Sequence, residues 1–333
     1  GSTNFGLGIV GDFFKSKILS GSTLVLHDIN SETLKNTHNI ALSFKEKLGV
    51  DFNIVSTTSR TEALQKADFC LISIEVGSRF DLWEQDWKVP LQYGIKQVYG
   101  ENGGPGGLFH AMRQIPAIIK ICEDIEKICP EAFIFSYSNH MQRICHALTT
   151  PFPDLKITGL CHEIASMSRQ LPTLLETDLD NIQFEAGGLN HFSILLQATY
   201  KDSGKDGYPL INKNFEGYYS DLVNDHEGFF SNAGAERGLF FELFKRYGYL
   251  PITTDSHLGE YLSWAYSVAD HDGILDFYDK YKKRCLSFFS NDGYEQFFDM
   301  SHPEPHERAI PIIESIVADL NMLEHAVNIK NEN

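Results

Sequence analysis

The sequence predicts an α/β protein in two parts: a parallel sheet flanked by helices over residues 1–160, then an α+β domain over residues 161–333. In the first part, short β-branched or aromatic runs alternate with longer helical patterns, which is typical of βαβ units. After about Phe184 this alternation gives way to extended runs and an acidic, aromatic stretch. With 333 residues and 42% hydrophobic content, the chain is long enough to bury a substantial core.

Five short apolar runs are predicted strands of the first part: STLVLHDIN, DFNIVST, ADFCLISIEVG, EAFIFSYSN and LKITGLCHE. The helices predicted between them include Ser31–Leu48, Leu108–Cys129 and His140–Leu148. In the second part, FEAGGLNHFSILLQATY predicts partly antiparallel extended structure, and residues 310–327 predict an apolar helix. Asp255 and His257 are spaced i, i+2, so we expect them on a loop or strand end.

The ends of the chain predict that its first domain is truncated. A dinucleotide-binding fold begins with an apolar strand and a Gly-rich turn, whereas this sequence opens with Gly1, Ser2 and GLGIVGDFF, a loop and helix pattern. We expect the first strand to be missing, with Gly1 and Ser2 left from the cofactor-binding turn. The alternative is that these two residues are a cloning scar.

Composition excludes several classes of partner. A net charge of −17, with 28 scattered Lys and Arg, argues against nucleic acid. No run approaches the roughly 20 apolar residues that span a bilayer, and no signal peptide is evident, so we expect no membrane partner and a cytoplasmic location. The six cysteines form no C-x-x-C pair, which argues against a disulfide framework or zinc ribbon.

Polar residues that follow the predicted strands are candidate ligand-binding groups, because open parallel sheets bind ligands at the carboxyl ends of their strands. They are Asp28, Ser78, Asn139, Cys161, His162 and Glu163, and Ser73 is a further candidate contact of a cofactor. Asp28 has two interpretations: a carboxylate that binds the ribose of a dinucleotide, or the N-cap of the next helix.

Two further patterns predict chemistry. The segment GENGGPGGLFHAMRQIP could bring backbone amides close to an anion or sugar, or could be only a flexible loop. Cys161 and His191 each stand where a strand is predicted to end, and a thiolate with an imidazole forms half of a site for a divalent transition metal. The alternative is that both are core residues.

Taken together, the sequence resembles glycoside hydrolase family 4, the glycosidases that need NAD and a divalent metal, usually manganese. The resemblance is carried, in order, by LVLHDIN, ADFCLISIEVGS, GENGGPGGLFHAMRQIP, FSYSNHM, GLCHEI, GLNHF and YGYLPITTDSHLGEYL. It implies a Rossmann-like fold related to lactate and malate dehydrogenases, and a C-terminal segment beyond the end of this sequence. It also implies hydrolysis by oxidation at sugar carbon 3, loss of the carbon-2 proton, elimination, addition of water and re-reduction.

The resemblance also implies roles for individual residues. Cys161 and His191 match the metal ligands, Asn139 matches an asparagine that contacts substrate near metal and cofactor, and Asp28 matches the ribose-binding acid. Asp255 corresponds to the proposed carbon-2 base. In addition, Glu101 lies near the position of the leaving group as a candidate acid, Ser73 follows a strand as a cofactor contact, and His162 and Glu163 are expected to contact or orient the sugar.

Cys-His-Glu followed by a β-branched residue resembles the α-galacturonidase subgroup, which implies an α-galacturonide as substrate, with Arg113 as its carboxylate partner. His110 stands where relatives have Arg, and His140 replaces a proline. Within the family, α-galactosidase and α-glucuronidase are alternatives, and a 2-hydroxy acid dehydrogenase or an inactive fragment is an alternative of another class. Relatives are commonly dimers or tetramers, so a homo-oligomer is expected.

Overall fold

The computed structural model of the protein describes residues 3–224, 236–288, 294–301, 307–320 and 328–329. Contacts divide the chain into two compact units. Unit 1 contains Gly1–Gly77, Arg113–Leu160 and Lys282–Asn333, and unit 2 contains Ser78–Met112 and Cys161–Tyr281. The expected boundaries were 1–160 and 161–333, and one change of unit falls after Leu160. Residues 78–112 belong to unit 2, and residues 282–333 belong to unit 1.

The two reassigned segments have identifiable contacts. Phe288, Ile310 and Ile313 of the C-terminal segment pack in the same hydrophobic cluster as Phe13 of the first helix, which accounts for their place in unit 1. Residues 78–112 include Glu101, whose backbone N–H is bound by the Glu260 side chain of unit 2. Such long-range contacts leave no local trace in the sequence.

Unit 1 alternates helices and strands. Its elements are α1 (Thr3–Lys15), β1 (Thr23–His27), α2 (Ser31–Leu48), β2 (Asn53–Thr57), α3 (Arg60–Ala63), β3 (Phe69–Ile72), the second half of α5 (Gly104–Ile128), β4 (Phe133–Ser136), α6 (Met141–Thr149), β5 (Lys156–Gly159), α12 (Ala309–Val317) and β8 (Asn328–Ile329). All five predicted strands are present. Strand β1 pairs with β2, and β3, β4 and β5 pair in that order, every pair being parallel, while β8 joins β5 antiparallel.

The strands are covered on both faces, as parallel strands require. In β3, Phe69 and Leu71 pack with the cluster that contains α1 and α12, while Cys70 and Ile72 pack with the α5 residues Ile118 and Cys122. This alternation is the period of two expected of a strand. The predicted α/β class with a Rossmann-like first domain is confirmed.

Unit 2 consists of helices around a hairpin. Its elements are α4 (Arg79–Gln92), the first part of α5, α7 (Ala165–Leu175), β6 (Ile182–Leu189), β7 (Phe192–Tyr200), α8 (Tyr208–Asn224), α9 (Gly238–Tyr247), α10 (Asp255–Leu258) and most of α11 (His271–Leu286). Strands β6 and β7 are antiparallel, as predicted, and Leu189 pairs with Phe192 across a two-residue turn. Asp255 and His257 lie on a short helix rather than on a loop or strand end. Of the helix predicted over residues 310–327, the structure forms a helix to Val317, and residues 321–327 lie outside the described residues.

The membrane prediction can be compared with the described helices. None of them, including the 25-residue α5, combines the length and apolar character that crossing a bilayer requires.

Candidate active site

The turn between β6 and β7 positions His191 at the centre of the candidate site. His191 is 6% exposed and has a φ of +69°, a conformation that is uncommon for a residue other than glycine. Its backbone N–H donates to Glu163 Oε2 at 2.7 Å, and the Asn190 side chain donates to the same oxygen at 3.1 Å. The neighbouring Ser193 N–H donates to Glu163 Oε1 at 3.0 Å. The Glu163 carboxylate therefore holds the turn that presents His191.

This finding changes the expected role of Glu163. Both carboxylate oxygens bind the hairpin turn, and the side chain is buried. Burial raises the pKa of Glu163, while the hydrogen bonds from His191 and Ser193 oppose that rise. His162, by contrast, is exposed. Contact of either residue with sugar stays a prediction, and the contacts of Glu163 make it a positioning residue for His191.

The structure brings Cys161 and His191 together, although thirty residues separate them in sequence. Cys161 Sγ lies 3.3 Å from His191 Nε2. Burial, followed by the charge of Glu163, raises the pKa of the Cys161 thiol to about 12. A bound metal would reverse this preference, because a coordinating thiol loses its proton. The pair therefore fits as two adjacent ligands of one ion.

Glu101 lies on the other side of His191, through Asn102. The Asn102 Nδ2 atom is 2.8 Å from His191 Nδ1 and 3.1 Å from Glu101 Oε2. Glu101 Oε1 accepts from Arg79 Nη2 at 3.2 Å, and its Oε2 lies 3.6 Å from His257 Nε2. Burial would raise the pKa of Glu101, but the hydrogen bond to His257 and the charge of Arg79 hold it below its ordinary value. Glu101 is therefore ionised near neutral pH, which does not favour its expected role as general acid.

The pKa of His257 shifts in the opposite direction from that of Glu101. Burial would lower the pKa of this imidazole, but the hydrogen bond and charge of Glu101 raise it. Its ring packs edge-on against His191, with centroids 4.0 Å apart. The donor atoms of Glu101, His191 and His257 all lie within 4.8 Å of one another. Sequence reasoning did not place His257 in the site, because its place depends on α10.

The Gly-rich segment is fixed rather than flexible. The backbone N–H groups of Glu101 and Asn102 donate to the two carboxylate oxygens of Glu260 at 2.6 and 2.7 Å. A Cβ atom on Gly103 would lie 2.2 Å from the Glu260 carbonyl oxygen, so only glycine permits this approach. The glycine here lets the loop pack on the turn that follows α10 and carry Glu101 towards His191. Contact with an anion or sugar stays a prediction.

Asp255 is engaged by the backbone rather than by the metal-binding pair. Its Oδ2 accepts the N–H groups of Leu239 and Asp270 at 2.8 and 2.9 Å, and its Oδ1 accepts that of Phe240 at 2.9 Å. The side chain is fully buried. Burial raises the pKa of Asp255, and the three N–H groups oppose the rise. The carboxylate thus binds the first turn of α9, and its expected role as carbon-2 base stays a prediction.

Unit 1 contains the expected cofactor and uronate contacts. Asp28 follows β1, and its Oδ1 accepts the Asn30 N–H at 2.8 Å; Asn30, not Asp28, is the N-cap of α2. Ser73 and Asn139 follow β3 and β4, whose ends are joined because the Ser138 hydroxyl binds Ile74 N–H and C=O at 2.8 and 3.0 Å. Ser73 and Asn139 thus follow the carboxyl ends of two neighbouring parallel strands, and Asp28 follows the carboxyl end of β1, which pairs with β2.

Several other expected features can be located. A cis peptide joins Asn139 to His140. Arg113 lies in α5 and is partly buried. Gly1 and Ser2, expected to contact cofactor, lie outside the described residues. The structure therefore groups Glu101, Cys161, Glu163 and His191 in unit 2, and it places Asp28, Ser73, Arg113 and Asn139 in unit 1.

Comparison with known proteins decides the family. Residues 1–177 match the model for family 4 glycosyl hydrolase, and residues 186–333 match that for the family 4 glycosyl hydrolase C-terminal domain. The chain belongs to glycosyl hydrolase family 4. It is thus an enzyme of the glycosidase class, as the sequence resemblance implied.

Two curated members of family 4 illustrate the range of sugars among relatives. The chain is 46% identical to an α-glucosidase of Erwinia rhapontici over 356 residues, which cover 99% of this chain and 77% of that protein. It is 33% identical to an α-galacturonidase of Thermoanaerobacter italicus over 272 residues, which cover 79% of this chain and 58% of that protein.

A solved family 4 structure supports the fold. The chain superposes with a TM-score of 0.77 on a 6-phospho-α-glucosidase from gut microorganisms, solved in complex with NAD and Mn2+. The two are 21% identical, and the match covers 96% of this chain and 74% of the other.

Proposed function

We propose that this family 4 enzyme is an α-glycosidase that requires NAD and a divalent metal, Mn2+ in the first instance. The observation that carries the proposal is the 3.3 Å separation of Cys161 Sγ from His191 Nε2. Two donors bound at about 2.1 and 2.3 Å to one ion lie roughly 3 to 3.6 Å apart, so this pair fits one metal without rearrangement. The 6-phospho-α-glucosidase of the same fold, solved with both cofactors, supports the same assignment.

The bound cofactors would supply hydride transfer with the sugar and Lewis-acid polarisation of its oxygen atoms. Cys161 and His191 would hold the metal, and Glu163 would keep the His191 turn in place. Asp28, Ser73 and Asn139 would contact NAD at the strand ends of unit 1, Asn139 also contacting the sugar. The ionised Glu101 is suited to accept a proton or bind a hydroxyl group rather than to donate a proton.

A neutral α-glucoside is the substrate that the observations favour. The relative with 46% identity over nearly the whole chain is an α-glucosidase. Glu101, which is ionised near neutral pH, also lies close to His191 through Asn102, and Arg79 already binds it. A sugar carboxylate would be repelled by the Glu101 carboxylate, whereas a neutral hexose would not.

An α-galacturonide, the expectation from the sequence, is the second candidate. Cys161, His162 and Glu163 followed by Ile164 support it, together with the 33% identical α-galacturonidase. In this alternative, the guanidinium of Arg113 would bind the uronate carboxylate. The resemblance also leads us to propose a homo-oligomer, either a dimer or a tetramer, which light scattering after size-exclusion chromatography would test.

A panel of aryl glycosides tests the proposal. We expect hydrolysis of p-nitrophenyl α-glucoside to need both NAD and Mn2+ and to exceed that of the α-galacturonide and α-galactoside by at least about tenfold, or about 1.4 kcal/mol. A higher rate on the α-galacturonide would establish the second candidate. Hydrolysis that persists without either cofactor would overturn the cofactor requirement.

A further inference from the structure

We propose that Glu75 binds hydroxyl groups of the sugar substrate, and that Gln114 is the positioning residue that orients the Glu75 carboxylate. The inference rests on the proposed function, because it names a contact of that enzyme with its substrate. Both residues belong to unit 1, where Glu75 follows strand β3 and Gln114 lies on helix α5.

Glu75 lies on the segment that follows β3, beside the segment that follows β4. The two strands are parallel neighbours. Beyond them, the Ser138 hydroxyl binds both the N–H and the C=O of Ile74, at 2.8 and 3.0 Å. Glu75 and Asn139 are the next residues of the two segments, at the edge where open parallel sheets bind ligands. Glu75 is therefore at the same edge as Asn139, the residue proposed above to contact the sugar.

Gln114 is a polar residue on the buried face of α5. Ile118 and Cys122 lie on the same face, one and two turns further along the helix, and all three residues are 0% exposed. The Gln114 amide nitrogen Nε2 donates to Glu75 Oε1. Because a carboxylate only accepts hydrogen bonds, this contact requires the nitrogen of the amide to face Glu75. Gln114 thus holds one oxygen of the Glu75 carboxylate from inside the protein.

The oxygen of the Gln114 amide supplies a second, independent observation. This Oε1 atom is buried and has no hydrogen-bond partner within the described part of the chain. An unpaired buried carbonyl destabilises a fold, whereas an apolar side chain of similar length, such as methionine, would continue the apolar face of α5. Departures of this kind are expected at functional sites. We therefore attribute Gln114 to the orientation of Glu75 rather than to stability.

The carboxylate of Glu75 is suited to an uncharged ligand that carries hydroxyl groups. Glu75 is half-buried, so part of its side chain is accessible. The two oxygens of a carboxylate can accept hydrogen bonds from neighbouring hydroxyl groups of a hexose, and such charge-assisted bonds are strong. The same negative charge repels the carboxylate of a uronate. Glu75 thus favours a neutral α-glucoside over an α-galacturonide.

Calorimetric titration of the full chain tests the inference without turnover. Methyl α-glucoside would be titrated into the protein in the presence of NAD and without added metal, and NAD would be titrated separately. The variants are Glu75→Gln and Gln114→Met. Glu62→Gln is the matched control, since Glu62 on α3 is a unit 1 carboxylate that accepts a side-chain hydrogen bond from Thr57 at 2.6 Å. Thermal unfolding would measure the stability of each variant.

We expect Glu62→Gln to bind methyl α-glucoside as the wild-type chain does. Glu75→Gln should bind it about 10- to 100-fold more weakly, the range for loss of a hydrogen bond to a charged group, with unchanged affinity for NAD. Gln114→Met should weaken sugar binding by less, while its melting temperature stays equal to or above that of the wild type. A structural role of Gln114 would instead lower the melting temperature and leave the sugar affinity of the folded protein unchanged, which would overturn its positioning role.

Wild-type sugar affinity of folded Glu75→Gln would overturn the inference. A loss confined to NAD affinity would also overturn it, because the carboxylate would then contact the ribose hydroxyls of the cofactor. A wild-type chain that does not bind methyl α-glucoside would overturn both the inference and the neutral substrate. If the wild-type chain binds the sugar but hydrolyses no aryl glycoside with NAD and Mn2+, the proposed function is overturned and the Glu75 contact stands.

Discussion

Two buried carboxylates of unit 2, Asp255 and Glu101, show how similar residues acquire different roles. The Asp255 cap, which we define as Asp255 with the N–H groups of Leu239, Phe240 and Asp270, uses both oxygens on the backbone. Glu101 contacts the side chains of Arg79, Asn102 and His257, which can carry charge, donate hydrogen bonds or bind metal. A carboxylate whose oxygens accept backbone N–H groups stabilises the fold. A carboxylate that contacts side chains, which can rotate, can take part in chemistry.

The largest expected effect concerns the His191 site, which we define as Glu101, Asn102, Cys161, His191 and His257. Cys161→Ser replaces a thiolate by a hydroxyl that does not ionise near neutral pH, so metal affinity and turnover should both fall by at least about 100-fold. Cys122→Ser, in the core of unit 1, is the matched control. Equal metal affinity of Cys161→Ser and wild type would remove the thiolate from the site.

The next expected effect is a difference in stability between variants of the two carboxylates, Asp255 and Glu101. Asp255→Asn leaves one acceptor for three backbone N–H groups, so we expect the free energy of unfolding in urea to fall by about 2–3 kcal/mol. Glu101→Gln should cost less than Asp255→Asn, because the amide oxygen can still accept from Arg79, whose own side chain is 28% exposed and keeps access to water. If Asp255→Asn keeps wild-type stability but stops exchange of the sugar carbon-2 proton with solvent, Asp255 is the base. That result would contradict a purely structural role for Asp255.

The sequence predicted which residues lie in this site better than it predicted the role of each residue. The Cys161 and His191 pair was predictable because each follows a strand within a motif that resembles the family. The role of Glu163 was not, because it depends on a turn thirty residues away that places an imidazole at positive φ. The place of His257 required knowledge that Glu260, just after α10, binds the loop of Gly103. Local patterns gave the strands and helices, and tertiary hydrogen bonds decided which polar side chains meet.

A smaller effect is expected at Asn102, which belongs to the His191 site without being a proposed ligand. Asn102→Ala removes the partner of His191 Nδ1, and loss of such a contact typically lowers metal affinity by about 10–100-fold. The thiolate band of the Co2+ form should persist, because Cys161 is untouched. A variant with wild-type affinity would show that Asn102 does not orient His191. Asn214→Ala, on α8, is the matched control.

The smallest effect is a pH dependence from Glu260, which anchors the loop that carries Glu101. Burial and the charge of Glu101 raise the pKa of Glu260 from 4.5 to about 8, against the opposing backbone N–H of Asn102. A carboxyl group with a raised pKa contributes stability that is present in full below pH 4.5 and is lost as the pH rises through about 8. Glu260→Gln cannot titrate, so its unfolding free energy should change less over this window than that of wild type.

Between the unfolded and folded pKa values one such group changes the unfolding free energy by about 1.4 kcal/mol per pH unit, and the partial exposure of Glu260 should narrow this pH window. Urea unfolding at several values between pH 5 and pH 8 would measure it. Glu242→Gln, on the surface of α9 beside Arg246, is the control and should follow the wild-type slope. Parallel slopes for Glu260→Gln and wild type would mean that Glu260 is already ionised in the folded enzyme. The loop of Glu101 would then be held by a charged anchor, which would leave one more negative charge to be balanced by the proposed metal.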